Sequence, residues 1–319
     1  MNKWITKTGL KKSRMQTTNH ILMIRPVDFK FNEQTAGNNK FQQASEQSEV
    51  QNQALQEFDG FVKILRDNGV DVTVIDDTLE PATPDSIFPN NWVSFHEDGA
   101  VFLYPMFSEN RRLERRNEIL KTLERNFEIS HINDLSFYEN RNIFLEGTGS
   151  MVLDREKKIA YACLSVRTEV EAFNNFCQLA GYKSVIFKAV DSSNYPIYHT
   201  NVMMCIGDKF AVICLDSIPN LYERDFVQKA LNLSGKEIIK ISLDQMNHFA
   251  GNMLQVKNSN GDSLLVMSEQ AYKTLDETQI TNLSKYAKLI YAPIYTIEQN
   301  GGGSARCMLA EVHLPVKSF

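Results

Sequence analysis

MVLDREKKIAYACLSVRTEVEAFNNFCQLAGYKSVIF, residues 151–187, decides how this chain folds. Two short apolar runs, 151–153 and 159–163, are separated by polar residues, a spacing that suits a two-strand hairpin. Residues 167–180 then show the 3.6-residue periodicity of a helix, and a third strand-length run, 184–187, follows. The same punctuation extends outward in both directions. Apolar runs of strand length stand at 20–25, 71–75, 92–95, 100–103, 202–206, 210–214, 253–256, 264–267 and 289–292, with helical stretches at 54–68, 110–126, 225–231 and 269–275. Turns such as Glu97-Asp98-Gly99 and Gly207-Asp208-Lys209 join the runs in pairs. A doubly wound sheet has one strand per helix; two or three per helix predict repeated ββα-type units in an α/β fold. No linker rich in Pro, Ser or Gly divides the chain, so a single domain over 17–319 is expected.

Composition narrows the function. With 43% hydrophobic and 23% charged residues the chain reads as an ordinary globular protein, and its formal charge of -5 argues against a polyphosphate or nucleic-acid partner. The densest basic run, Arg111-Arg112-Leu113-Glu114-Arg115-Arg116, has Glu109, Glu114 and Glu118 at helical spacing, which predicts a solvated helix face. Residues 1–16 form a basic leader without the apolar stretch of a secretory signal, and no segment is long and apolar enough to span a membrane. A cytoplasmic protein with a small-molecule partner is expected, and a homo-oligomer is left open. Cys163, Cys177, Cys205 and Cys214 sit in apolar runs as small buried hydrophobes, and the odd count of five, without CxxC spacing, predicts neither disulfide framework nor metal site.

Three segments carry chemistry. In Gly301-Gly302-Gly303-Ser304-Ala305-Arg306-Cys307 the glycines suit a mobile loop at a pocket mouth, and Arg306 beside Cys307 would favour the thiolate, the species that attacks carbon. Read alone, a flexible turn with an incidental cysteine fits equally well. His199 follows a proline turn at the mouth of an apolar run, a place from which an imidazole can face a pocket. Glu146 is delivered by Ile143-Phe144-Leu145 into Gly147-Thr148-Gly149, and a carboxylate at a buried strand end requires a partner.

In combination these segments resemble a known group. Leu145-Glu146-Gly147, Leu164-Ser165-Val166-Arg167-Thr168, Tyr198-His199 and the Gly-rich Cys307 segment, in that order over residues 20–315, resemble the arginine deiminase and dimethylarginine hydrolase families of the guanidine-modifying superfamily. Met23-Ile24-Arg25-Pro26 and the segment Pro84 to Trp92 look most like its citrulline-utilisation hydrolase group. The resemblance implies the five-bladed α/β propeller called the pentein fold. It also implies Cys307 as nucleophile, His199 as general acid/base, Glu146 as supporting carboxylate, Arg167 with Arg111 or Arg112 on the substrate carboxylate, and Asp85 on the α-ammonium, with no cofactor.

The departures point to the substrate. Where arginine-cleaving relatives carry carboxylates, this chain has the amides Asn90, Asn91 and Asn201, and Gly149 replaces the aspartate of a Glu-Gly-Gly-Asp turn. A guanidinium is a permanent cation with donors only, whereas a neutral ureido group offers an oxygen acceptor and N–H donors, which amides match. The expected reaction is citrulline to ornithine, carbon dioxide and ammonia through a carbamoyl thioester on Cys307. If the clamp comes instead from Glu146, an arginine or dimethylarginine deiminase-type hydrolase is the alternative. Amidinotransferases share the fold and the Cys–His set, succinylarginine dihydrolases pass through a ureido stage, and a ribosome anti-association factor is the non-enzymatic counterpart.

Overall fold

The structure, a computed structural model, describes residues 15–44 and 49–318. The leader therefore lies outside the described residues except for Met15 and Gln16. Gln16 is built into the protein: its Nε2 donates to Leu153 O (2.9 Å) and its Oε1 accepts from Arg155 N–H (2.7 Å).

Strands β1 (His20–Arg25) and β2 (Asp71–Asp76) pair in parallel, joined through the helix Val50–Asp67. The next unit has β3 (Val93–Phe95) antiparallel to β4 (Ala100–Leu103), and β5 (His131–Asp134) parallel to β4. The decisive stretch repeats the pattern, with β6 (Val152–Asp154), β7 (Ile159–Cys163), the helix Val170–Ala180 and β8 (Lys183–Phe187). So do β9 (Met204–Ile206), β10 (Phe210–Ile213), the helix Leu221–Leu233 and β11 (Glu237–Lys240). In the last unit β12 (Leu254–Lys257) and β13 (Ser263–Ser268) precede two helices, Glu269–Thr274 and Glu277–Ser284, and β14 (Lys288–Ala292).

Finally β15 (Ala310–Glu311) returns to pair antiparallel with β1, Ile21 opposite Glu311. It supplies the antiparallel strand that the first unit lacks. The chain thus makes five three-stranded sheets of one ββαβ design, the α/β propeller expected from the sequence, closed by joining its two ends.

Each unit holds because an amphipathic helix covers its own sheet. Helix Val50–Asp67 sinks Ala54, Phe58, Phe61 and Leu65 into an apolar cluster with Met23, Val72 and Ile290. Helix Val170–Ala180 buries Phe173 and Phe176 with Ala160 and Ala162, and Gly181, in the left-handed region at φ 69°, ends it. Asn220 caps Leu221–Leu233 by accepting from the Tyr222 and Glu223 N–H groups.

Three strands escaped the sequence reading. β5 has largely exposed side chains, β11 buries only Ile239 between charged ends, and β15 is two residues long. A strand that buries few of its side chains carries polar residues and loses the apolar signature. The expected strand 202–206 begins as a helical turn, Thr200–Met203, and the expected helix 110–126 breaks into Glu109–Arg112 and Asn117–Leu123.

Phe58→Ala should lower the free energy of unfolding by about 3–5 kcal/mol in urea titration. An unchanged midpoint would contradict the packing of this helix face.

Candidate active site

Each unit opens with a turn just before its first strand, and these turns meet. Asn90 and Asn91 belong to the turn Pro89–Asn91 ahead of β3, and Glu146 caps the turn Gly147–Ser150 ahead of β6. His199 caps Thr200–Met203 ahead of β9, Asn252 stands two residues before β12, and Cys307 lies in the turn Ala305–Met308 ahead of β15. Propeller closure therefore brings residues more than 200 positions apart into one narrow pocket. Its lining includes Asp85, Asn91, Arg111, Arg167, His199 and Cys307.

Glu146 is fully buried and fully used. Its Oε1 accepts from Phe107 N–H (3.0 Å); its Oε2 lies 2.8 Å from His199 Nε2, 3.4 Å from Arg167 Nη1 and 3.9 Å from Arg111 Nη1. Burial opposes its ionisation, but Arg167, His199 and Arg111 outweigh that and hold the carboxyl below the usual range. With Glu146 ionised, the hydrogen of the shared bond is assigned to Nε2, which leaves Nδ1 of His199 as a free base. Burial pushes His199 down to about 4 against the pull of Glu146, so the imidazole is neutral at neutral pH. Gly149 makes room for it: an added Cβ would lie 2.7 Å from His199 Nδ1 and 2.4 Å from Asn91 Nδ2. The glycine that replaces the aspartate thus sits against the Nδ1 and Cε1 atoms of the histidine ring.

Cys307, 3% exposed, has Sγ 3.4 Å from Asn201 Nδ2 and 3.3 Å from Asn252 Nδ2. The structure corrects the expectation for Arg306, whose guanidinium turns away to Leu309 O (2.7 Å) and Glu311 (2.8 Å), a buried carboxylate that takes its charge. It also corrects the reading of Gly301–Gly303 as a loose loop. Gly301 ends the helix Tyr295–Gly301, Gly302 caps it at φ 63°, and a Cβ at Gly301 would come within 2.7 Å of Phe88. These residues are glycines because neighbours press against them.

Also in the pocket lining, Asp85 Oδ2 accepts from Asn32 Nδ2 (2.8 Å), while its Oδ1 has no partner; burial, opposed by Arg111, raises its carboxyl. The expected solvated basic face is wrong for its first member. Arg111 is 2% exposed, pairs with buried Glu114 (2.8 Å) and donates from Nη1 to Asn91 Oδ1 (2.9 Å). Burial works against the Arg111 charge, and Glu114, Asp85 and Glu146 more than offset it. Arg112 points elsewhere, to Met106 O (3.1 Å) and Glu139 (3.6 Å), so that of the two arginines it is Arg111 that lines the pocket. Arg167 donates to Asn38 Oδ1 (2.7 Å) and Thr35 O (3.0 Å). Asn90 donates to Thr148 Oγ1 (3.2 Å) and lies behind the pocket wall. Buried polar atoms are normally paired, yet Asp85 Oδ1 and Asn91 Nδ2, both on residues that line the pocket, are not, which suits a polar ligand there.

Asn252 was missed in the sequence, and Tyr198 was quoted there beside His199 without a role. Tyr198 donates to Gly302 O (2.6 Å) and lies under the Arg167 guanidinium, 5.1 Å from the ring centroid. The signal for Asn252 was positional: it precedes a unit's first strand, as the other site residues do. Among the described residues no group of three or more His, Cys, Asp or Glu side chains is placed to hold a metal, and no helix is long and apolar enough to cross a membrane.

Fold and site together define a pentein of the guanidine-modifying superfamily, a hydrolase acting on carbon–nitrogen bonds other than peptide bonds. The family model described as N,N dimethylarginine dimethylhydrolase, eukaryotic, matches residues 25–314, and the chain belongs to that family. No curated protein matches it in sequence. Among solved structures it is similar to the N-terminal domain of ArgZ, a cyanobacterial arginine dihydrolase of the ornithine–ammonia cycle, in a cysteine-to-serine variant bound to substrate. That match has TM-score 0.73 and 17% identity and covers 93% of this chain and 98% of that one. The chain spans 41% of the longer ArgZ chain at the same TM-score. It is also similar to a dimethylarginine dimethylaminohydrolase adduct with S-methyl-L-thiocitrulline (TM-score 0.61, 15% identity, 92% and 99% covered). At these identities the likeness is one of fold.

The site predicts how stability depends on pH. His199 and Glu146 both have folded pKa values below their unfolded ones, so their contribution is complete above the unfolded histidine value, about 6.5. It is lost as pH falls through about 4 for His199, with Glu146 following lower. The urea midpoint should therefore drop between neutral pH and 4, and His199→Gln should shallow that slope; an unchanged slope would contradict a neutral buried imidazole.

Proposed function

We propose that the protein hydrolyses the ureido group of a free amino acid, citrulline to ornithine, carbon dioxide and ammonia, within one catalytic unit over residues 17–319. The observation that carries this reading is the orientation of Asn91. Arg111 can only donate, so its 2.9 Å bond fixes Asn91 Oδ1 toward the guanidinium and leaves Nδ2, a donor without a partner, beside His199 Nδ1. A ureido oxygen accepts from that amide; a guanidinium has no acceptor to give it. The Glu146 carboxylate is already engaged on both oxygens, which weighs against its serving as the guanidinium clamp.

Asp85 takes the α-ammonium on its free oxygen, and Arg167 with Arg111 takes the carboxylate. Cys307 Sγ attacks the ureido carbon and passes its proton to His199 Nδ1, while Asn91 Nδ2 donates to the oxygen as charge grows on it. His199 gives the proton to the departing ornithine nitrogen. The imidazole then takes a proton from water, which opens the carbamoyl thioester, and the released carbamate breaks down to carbon dioxide and ammonia. A reducing compartment such as the cytoplasm suits the five unpaired thiols.

A second reading is favoured by the likeness to ArgZ, described as an arginine dihydrolase. Arginine would first lose one ammonia at the same cysteine, and the resulting ureido compound would follow the path above.

Incubation with citrulline, arginine and dimethylarginine separately, with ornithine, citrulline and ammonia quantified, tests both. Ornithine from citrulline is expected, absent in Cys307→Ser and reduced about 100-fold in kcat/KM by Asn91→Asp, which removes a donor to the developing oxyanion. Citrulline accumulating from arginine or dimethylarginine, with none consumed, would make the protein a deiminase.

A further inference from the structure

We propose that Asn252, acting with Asn201, is a catalytic residue: their two side-chain amides form a donor cradle that stabilises the thiolate of Cys307. This rests on Cys307 as the nucleophile but on no particular substrate.

Sγ of Cys307 is met by Asn252 Nδ2 at 3.3 Å and Asn201 Nδ2 at 3.4 Å, while the adjacent cation, Arg306, is turned toward Glu311. A buried thiolate needs donors, and two neutral amides supply them where the guanidinium does not. The orientation of Asn252 is wired. Its Oδ1 accepts from Arg306 N–H (3.0 Å), which leaves Nδ2, and that group divides its two hydrogens between Asn201 O (2.9 Å) and the sulfur. In the protonated form the thiol's own contact with Asn252 Oδ1 is longer, 3.7 Å. Loss of the proton to His199 Nδ1 thus converts a weak acceptor at the centre of two N–H groups into a strong one. Asn252 also joins the cysteine's own turn, through Arg306 N–H, to the main chain of the turn that bears His199, through Asn201 O, so the donor and the base share one support.

The test is the rate at which iodoacetamide alkylates Cys307, followed by peptide mass with Cys307→Ser as the blank. It requires no substrate, so its outcome is independent of the ureido reading. Asn252→Asp keeps the shape and the acceptor for Arg306 N–H but removes the donor. At neutral pH its alkylation should be slowed about ten-fold, the order expected for one hydrogen bond to a charged group, and the deficit should narrow in alkaline buffer. Asn201→Ala removes the other donor without touching Arg306 N–H and should show the same pattern, which keeps the test decisive if the first variant fails to fold. Alkylation within two-fold of wild type in either folded variant, or a deficit that is unchanged in alkaline buffer, would overturn the proposal.

Discussion

The ionised carboxylate of Glu146, sealed from water between Arg167, His199, Arg111 and the Phe107 N–H, is the contact around which this molecule is arranged. A buried carboxylate without such company would take up a proton or unfold its surroundings. Because it is paired, it can hold Nε2 of His199 and leave Nδ1 basic. Arg167 in turn is fixed by Asn38 and Thr35, and Arg111 by Glu114 and Asn91. Neutralising Glu146 would therefore disturb base, carboxylate clamp and amide donor together.

The propeller explains why such a network can be assembled from distant sequence. Every unit turns into its first strand where these turns meet, and each turn contributes polar side chains: Asn90 and Asn91, Glu146, His199 and Asn201, Asn252, and Cys307. The architecture is a ring only because β15 completes the first sheet. The short strand that carries no recognisable pattern is the one that brings Cys307 to its partners.

That contrast sets how far the sequence could be read. Residues 151–187 and their counterparts were legible because apolar runs and helical periodicity report burial directly. β5 and β11 were not, since short strands that bury few side chains carry polar and charged residues, and the basic run at Arg111 misled because pairing with Glu114 allowed both residues to be buried. Cys307, His199 and Glu146 were picked out as an ordered set. Arg306 was misassigned because adjacency in sequence says nothing of where a long side chain ends, and Arg111 was inseparable from Arg112 until helix geometry turned one inward. Asn252 carried no motif, only a position. The glycine triplet reads as mobility in sequence and as close packing in three dimensions, and both follow from the missing Cβ.

What the protein does with this site turns on a single amide group. Asn91 turns its oxygen to Arg111 and leaves its nitrogen unpaired, and the reaction proposed from that orientation passes through a carbamoyl group on Cys307. Rapid mixing with citrulline, acid quench and peptide mass analysis reads this directly. A Cys307 peptide heavier by a carbamoyl group, about 43 Da, is the result predicted for a ureido thioester. With arginine in place of citrulline, an adduct of arginine less ammonia, about 157 Da, with no carbamoyl adduct from either amino acid, would contradict it.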